Sequence, residues 1–262
     1  MAVTQAQRQR VRGLAQRKWR RKYSAFAVEG LVNVGELLAS PLAVLEVYAT
    51  APALEGFRQN PVYREALAGI EVQQVSPAEL ARLSTQRSPH GAVAVARTAA
   101  SDPEVLAQAG RVLYLDGVAD PGNVGTLVRT AEWFGVDCVA AGPNTADFYN
   151  PKVVAAARGS LFRVPHIALA AEHIARLRGD PPTREILVAD LDGTPYADAS
   201  WPERGVLAIG SESHGPTPLL RGLSPKPVTI ARAGRAPTES LNAAVAGGIL
   251  LAAWAGGVRA AD

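Results

Sequence analysis

The chain has 262 residues, 48% of them hydrophobic and 19% charged, which fits two domains and excludes a largely disordered polypeptide. Its net charge of +3 conceals a split: residues 1–22 carry eight basic side chains and no acid, leaving 19 basic against 24 acidic in the other 240. One cysteine, Cys138, excludes a disulfide framework and a Cys-built zinc site, and no apolar run approaches the roughly 18 residues of a membrane span.

Residues 5–22 have helix-forming composition, and 23–30 (YSAFAVEG) alternate as a strand does. A helix is expected over 32–38, a strand over 42–48 (LAVLEVY), a helix over 62–67 and a strand over 72–75. Ser76 reads as the N-cap of a helix over 77–83, and 91–96 (GAVAVA) is a further strand. This alternation predicts a small α/β domain over 1–97. Residues 98–110, small and polar around Asp102 and Pro103, are expected to form a linker with a short helix.

A second alternation follows. Strands are expected over 111–116, 138–141, 186–190, 206–209 and 228–230, with helices over 124–134, 151–159 and 240–255. Short apolar strands separated by helices imply a parallel sheet covered on both faces, in a domain spanning 111–262. In such sheets ligands bind beyond the carboxyl ends of the strands. Three loops there are rich in Gly, Pro, Asn and Ser: DGVADPGNVG (116–125), GSESHG (210–215) and ARAGRAPTESLN (231–242). Glycine lets backbone approach a ligand closely, so the three would build a site largely from main chain.

Several familiar motifs fail on spacing. GNVGTL is not G-x-G-x-x-G, the P-loop pattern is absent, and GSESHG has its serine one place too late for a nucleophile elbow. His90, His166, His173 and His214 show no ligand spacing, and no metal is expected.

Asn123, Gly125 and Arg129-Thr130-Ala131 stand in the first loop and its helix, Gly210, Glu212 and Gly215 in the second loop, and Ser240-Leu241-Asn242 close the third. In this order, each after a predicted strand, they resemble the three motifs of the SpoU (TrmH-type) RNA ribose methyltransferases of the SPOUT class. The likeness covers 112–262, and 150–165 looks like the family's linker between first and second motifs. The front 97 residues look like the ribosomal-protein-like α/β substrate-binding domain that many members carry. There are departures. Ala231 stands where the family usually has Pro, Pro237 and Thr238 lengthen the third loop, and Ala155 replaces a common Arg, with Arg158 one turn along.

The resemblance implies a C-terminal parallel-sheet α/β domain with a deep trefoil knot, binding S-adenosylmethionine without a metal. It implies methyl transfer to a ribose 2′-hydroxyl of structured RNA, 23S rRNA ahead of tRNA. It assigns catalysis to Arg129, Asn123, Glu212, Ser240 and Asn242, and the cofactor pocket to Gly210, Ile230, Leu241 and Gly215. Arg129 would be the base or activator. Because a guanidinium ordinarily stays protonated, it is read as orienting the 2′-hydroxyl and the neighbouring phosphate, with either that phosphate or a transiently neutral Arg129 taking the proton. Asn123, Ser240 and Asn242 have a plainer alternative as helix caps. The resemblance further implies a homodimer through the knotted domain and helix 240–255, which is apolar on nearly all sides.

At the basic tip, Arg12, Arg17, Lys18, Trp19, Arg20, Arg21 and Lys22 are the RNA-binding candidates, with phosphate contacts and Trp19 against an unpaired base. The alternative there is a solvated helix face with Trp19 packed on the domain. The N-terminus is Arg-rich and acid-poor, as transit peptides are, but it lacks a secretory apolar stretch, has no Ser before Ser24 and runs straight into folded-looking sequence. A cytoplasmic location and no membrane partner are expected. Two rival functions remain: a non-catalytic RNA-binding protein of the same fold, and a methyltransferase for small molecules or proteins.

Overall fold

The computed structural model describes residues 3–99, 102–179, 183–211, 213–223, 225–234 and 240–259. They form two compact units. The first holds the described residues up to 99 together with Asp147–Arg163, and the second holds 102–146 together with those from Val164 onward. No helix among the described residues is long and apolar enough to cross a membrane.

The first unit is built on four strands, β1 (Ala25–Glu29), β2 (Val44–Ala49), β3 (Glu71–Gln74) and β4 (Ala92–Arg97), in the order β1-β4-β2-β3. Strand β4 runs antiparallel to both neighbours, while β3 is parallel to β2. All but the last residue of β4 is buried, as a central strand requires. Ser76 caps the helix Pro77–Leu83 as expected, in a reciprocal capping box with Glu79. Helix Ala51–Gln59 has no counterpart in the sequence reading, because Pro52 and Gly56 disguise it.

The basic N-terminus is two helices, Gln5–Gly13 and Arg17–Tyr23, where the sequence predicts one over 5–22. Gly13 ends the first, and a Cβ there would stand 3.4 Å from the Trp19 ring. Ser24, left-handed at φ 47°, ends the second and turns the chain into β1. Several cations of this tip serve the fold. Arg10 contacts Glu46 at 2.6 Å, and Glu46 also accepts from the Tyr48 hydroxyl. Arg12 donates to the Ser84 carbonyl. Arg20 is only 4% exposed and donates to the carbonyls of Leu14 and Ala15, with Asp147 at 3.3 Å. The expectation of RNA contact is corrected at Arg20: its guanidinium lies inside the unit.

The segment Asp147–Arg163 joins this unit for visible reasons. Phe26 of β1, fully buried, packs on Tyr149 and Phe162. Asp147 meets Arg17 and Arg20, and Arg163 contacts Glu36 at 2.6 Å. Gly159, at φ +91°, lies so close to Glu36 that any Cβ would collide with it.

The second unit is a six-stranded, wholly parallel sheet. Its strands are β5 (Arg111–Asp116), β6 (Cys138–Ala141), β7 (His166–Ala168), β8 (Glu185–Pro195), β9 (Gly205–Gly210) and β10 (Lys226–Thr229), ordered β10-β8-β9-β5-β6-β7. Strands β5 and β9 lie at the centre, and Val112 to Leu115 are fully buried, as in a sheet covered on both faces. Helices Pro121–Trp133 and Ala243–Arg259 pack on each other, with Gly247 directly against Leu127. The stretch expected as linker carries the helix Pro103–Gln108, capped by Asp102.

Strands β8 and β10 are paired twice, with a step between. Val188 pairs with Pro227, then Thr194 with Val228, so residues 189–193 are extruded from the ladder. Gly193 permits this, because a Cβ there would stand 2.7 Å from the Pro227 backbone.

Arg184 opens β8 from inside the unit. It is 4% exposed and donates to the carbonyls of Ala109, Leu177, Leu106 and Ala107, gathering chain ends that lack helical partners. Removing it strands those acceptors in the core. Arg184→Leu is expected to lower unfolding free energy by about 3 kcal/mol, read from the denaturation midpoint of the purified protein.

Candidate active site

The site forms where the carboxyl ends of β5, β8, β9 and β10 meet in the second unit. Asp116, the last residue of β5, is 1% exposed. It accepts from the Thr217 backbone N–H at 2.6 Å and from the Thr217 hydroxyl at 3.0 Å. The Tyr114 hydroxyl donates to it at 3.5 Å. Burial, with the Asp116 charge beside it, raises the Tyr114 phenol far above its ordinary range, so it stays a donor. Asp116 thereby ties the loop after β9 to the central strand. On the other flank, Thr145 donates to the Leu115 carbonyl and accepts from the Gly117 N–H, fixing the start of the loop after β5.

The loop after β9 folds back on itself. Ser211 and Gly215 form an antiparallel bridge, with Gly215 left-handed at φ +63°. A Cβ on Gly210 would stand 2.8 Å from the Gly215 carbonyl carbon, so only glycine allows this close return. Beside it opens a cavity of about 450 Å³. One wall is the extruded part of β8, with Asp190 and Leu191; the others are Ile209 to Ser211, Gly215, Ile230, Ser240, Leu241 and the start of helix Ala243–Arg259. Leu191 and Leu241 are 68% and 44% exposed, high values for leucines beside a cavity. Asp190 faces Arg221 at 3.7 Å, and Arg221 donates to the Pro216 carbonyl.

Of the residues expected from sequence, Gly210, Gly215, Ile230, Ser240 and Leu241 all line this cavity. Asn242 caps the last helix, its Oδ1 accepting from the Ala244 and Val245 N–H groups. It also donates from Nδ2 to Asn123 Oδ1 at 3.0 Å, joining first and third loops. Asn123 is not the cap of its own helix; Asp120 is, accepting from the Asn123 N–H. Arg129 is exposed, does not line the cavity and makes no hydrogen bond or ion pair with another described residue. Six residues separate it from Asn123, which sets the two about 120° apart around the helix axis. Glu212, Pro237 and Thr238 lie outside the described residues. Asp116, Thr217, Asp190 and Leu191 were not singled out from sequence, although a carboxylate ending an otherwise apolar strand was a usable signal at Asp116.

Residues 110–252 match the model of the SpoU rRNA methylase family, and 7–94 match an MRM3-like substrate-binding domain. The first match spans more than half of the chain. The chain belongs to the SpoU rRNA methylase family. It is 30% identical to the 23S rRNA (guanosine(2553)-2′-O)-methyltransferase RlmP of Bacillus subtilis (strain 168), over 90% of each chain. Among solved structures it resembles a TrmH-family protein from Porphyromonas gingivalis, with 35% identity, a TM-score of 0.84, and coverage of 97% of this chain and 98% of that one. It also resembles the SpoU methyltransferase AviRb from Streptomyces viridochromogenes, solved with AdoMet, at 25% identity and TM-score 0.82, covering 98% of this chain and 99% of that one.

The cavity fits the cofactor that a SpoU member implies. Its volume is that of a small-molecule site, its exposed leucines offer apolar faces to a purine, and the tight Gly210–Gly215 return presents main-chain groups rather than side chains. Gly210→Ala is therefore expected to weaken S-adenosylmethionine binding at least 30-fold by calorimetry, about 2 kcal/mol, with the fold kept by circular dichroism. Asp116→Ala should weaken it about 10-fold through the displaced loop, while Asp116→Asn, which keeps one acceptor, should lose less.

Proposed function

We propose that this protein is an S-adenosylmethionine-dependent methyltransferase that modifies a ribose 2′-hydroxyl of ribosomal RNA, with 23S rRNA as its substrate, in the cytoplasm. The observation that carries the reading is the Asn123–Asn242 link beside the Gly210–Gly215 cavity: the first and third family motifs, 119 residues apart, meet at its edge. The RlmP-like span of the match, over 90% of both chains, includes the substrate-binding front half and supports rRNA.

Bound in the cavity, S-adenosylmethionine supplies an electrophilic methyl group on a sulfonium. Gly210, Gly215, Ile230 and Leu241 would hold the cofactor, the glycines offering backbone and the other two apolar side chains. Asn242, locked by its capping bonds, fixes the Asn123 amide, which then presents a set orientation to the ribose. Ser240 borders the same cavity, and Glu212 would anchor an Arg or a hydroxyl of the substrate. Arg129 would hold the 2′-hydroxyl and the adjacent phosphate, and the hydroxyl proton would pass to that phosphate or through a transiently neutral Arg129 as the oxygen gains the methyl and S-adenosylhomocysteine leaves. The chain in this reading carries the family's trefoil knot, and Arg17, Lys18, Arg21 and Lys22 take up phosphates of the RNA.

Methyl incorporation into rRNA from cells lacking this protein tests the reading. Wild type should transfer and Arg129→Ala should lose at least 100-fold in kcat/KM. Equal, negligible transfer by both would leave a non-catalytic RNA-binding protein of the same fold.

The reading includes a homodimer. Trp133 is 83% exposed and Val245 51% exposed, on the two helices that pack together. Ala252 and Gly256, about two and three turns beyond Val245 on the same helix face, are also exposed. An apolar, small-residue face of this kind suits close helix packing with a second copy. Arg129 stands four residues before Trp133 on the same helix face, so such a pairing brings it to the seam. Light scattering should give about 55 kDa for wild type, twice the 27.5 kDa chain, and the monomer mass for Trp133→Glu combined with Val245→Glu.

A further inference from the structure

The second basic helix of the first unit carries more than charge. Trp19 and Tyr23, four residues apart, lie with ring centroids 5.9 Å apart and planes inclined by only 13°. They form one aromatic strip along the helix. The Lys22 ammonium stands 5.1 Å from the Trp19 ring and 5.7 Å from the Tyr23 ring, and the Lys18 ammonium 5.3 Å from Trp19. The strip is not part of the apolar core. Tyr23 is 39% exposed and Trp19 is partly exposed.

The strip is held rigid from beneath. The indole rests against Gly13, where even a Cβ would come within 3.4 Å. Arg20, on the inner side of the same helix, is anchored to the carbonyls of Leu14 and Ala15 and to Asp147. Ser24 stops the helix one residue beyond Tyr23. Two near-parallel rings are thus fixed in place with exposed cations around them, at little ordering cost when a ligand arrives.

We propose that Trp19 and Tyr23 form a stacking platform for one unpaired nucleobase of the RNA, with Lys18 and Lys22 moving from the ring faces onto its flanking phosphates. This rests on the RNA reading above. A base in a duplex has both faces covered and cannot use the platform, whereas an unpaired base in a loop or bulge can. The lysines supply charge that any RNA can use; the rings supply the preference for an unpaired base.

The test uses the full-length protein and two probes, a ten-nucleotide single-stranded oligoribonucleotide and a blunt duplex of the same sequence, titrated over a salt series. Trp19→Leu combined with Tyr23→Leu should weaken single-strand binding about 10-fold or more and leave duplex binding within about 2-fold, with the salt slope unchanged. Trp19→Phe combined with Tyr23→Phe, which keeps two rings, should restore single-strand binding to within about 3-fold of wild type. Lys18→Gln combined with Lys22→Gln should weaken both probes and flatten the salt slope by about 1.4–1.8 units. Equal loss on both probes with the leucine pair, or no loss on either, overturns the platform. Absence of methyl transfer by a wild-type protein that still shows the differential would defeat the enzymatic reading and leave the platform standing.

Discussion

The buried Asp116 carboxylate is the constraint on which the candidate site depends. It ends the central strand, inside the second unit, where a charge is costly unless hydrogen bonds surround it. Its partners are the Thr217 backbone and hydroxyl and the Tyr114 phenol. Satisfying that one charge fixes the far end of the loop that leaves β9. With Thr217 pinned, the chain between β9 and the helix Pro218–Arg221 must double back tightly, and Gly210 and Gly215 make that return possible. The cavity is what remains between this return, the extruded part of β8 and the start of the last helix.

The two halves of the site were unevenly legible. Gly210, Gly215, Ser240, Leu241 and Asn242 were assigned from sequence by resemblance to the family motifs, while local chemistry alone marks only turn glycines and a helix start. Strands 111–116 and 138–141 and the Ser76 cap fall where the pattern put them, since short apolar runs and a Ser-x-x-Glu spacing are complete signals in themselves. The Asn242–Asn123 bond spans 119 residues and has no local signature. The cavity wall at Asp190 and Leu191 was equally hidden, because it arises from a pairing step between β8 and β10 rather than from any motif. Strand β7 has three residues, too few for an alternation to show.

Arg129 illustrates a different limit. The sequence assigns it by resemblance, and within one chain it is exposed and does not line the cavity that the same resemblance assigns to the cofactor. It stands about 120° round the helix from Asn123, so helix geometry within the single chain does not join it to the residue that meets the third loop. Its helix face is shared with the exposed Trp133, four residues on.

The charge asymmetry of the chain acquires a similar division. Eight cations at the N-terminus look like one electrostatic patch, but they are not equivalent. Arg10 pairs with Glu46 while staying partly exposed, and Arg20 is sealed beneath its own helix, so these two help to hold the helices in place. Because Arg20 is buried, the opposite side of its helix is committed to solvent, and it is on that side that Lys18 and Lys22 approach the Trp19 and Tyr23 rings. Within these seven residues Arg20 anchors the helix while Lys18 and Lys22 remain exposed. A uniform loss of positive charge from this helix would therefore confound folding with binding, whereas neutralising Lys18 and Lys22 alone removes charge at positions the fold does not use.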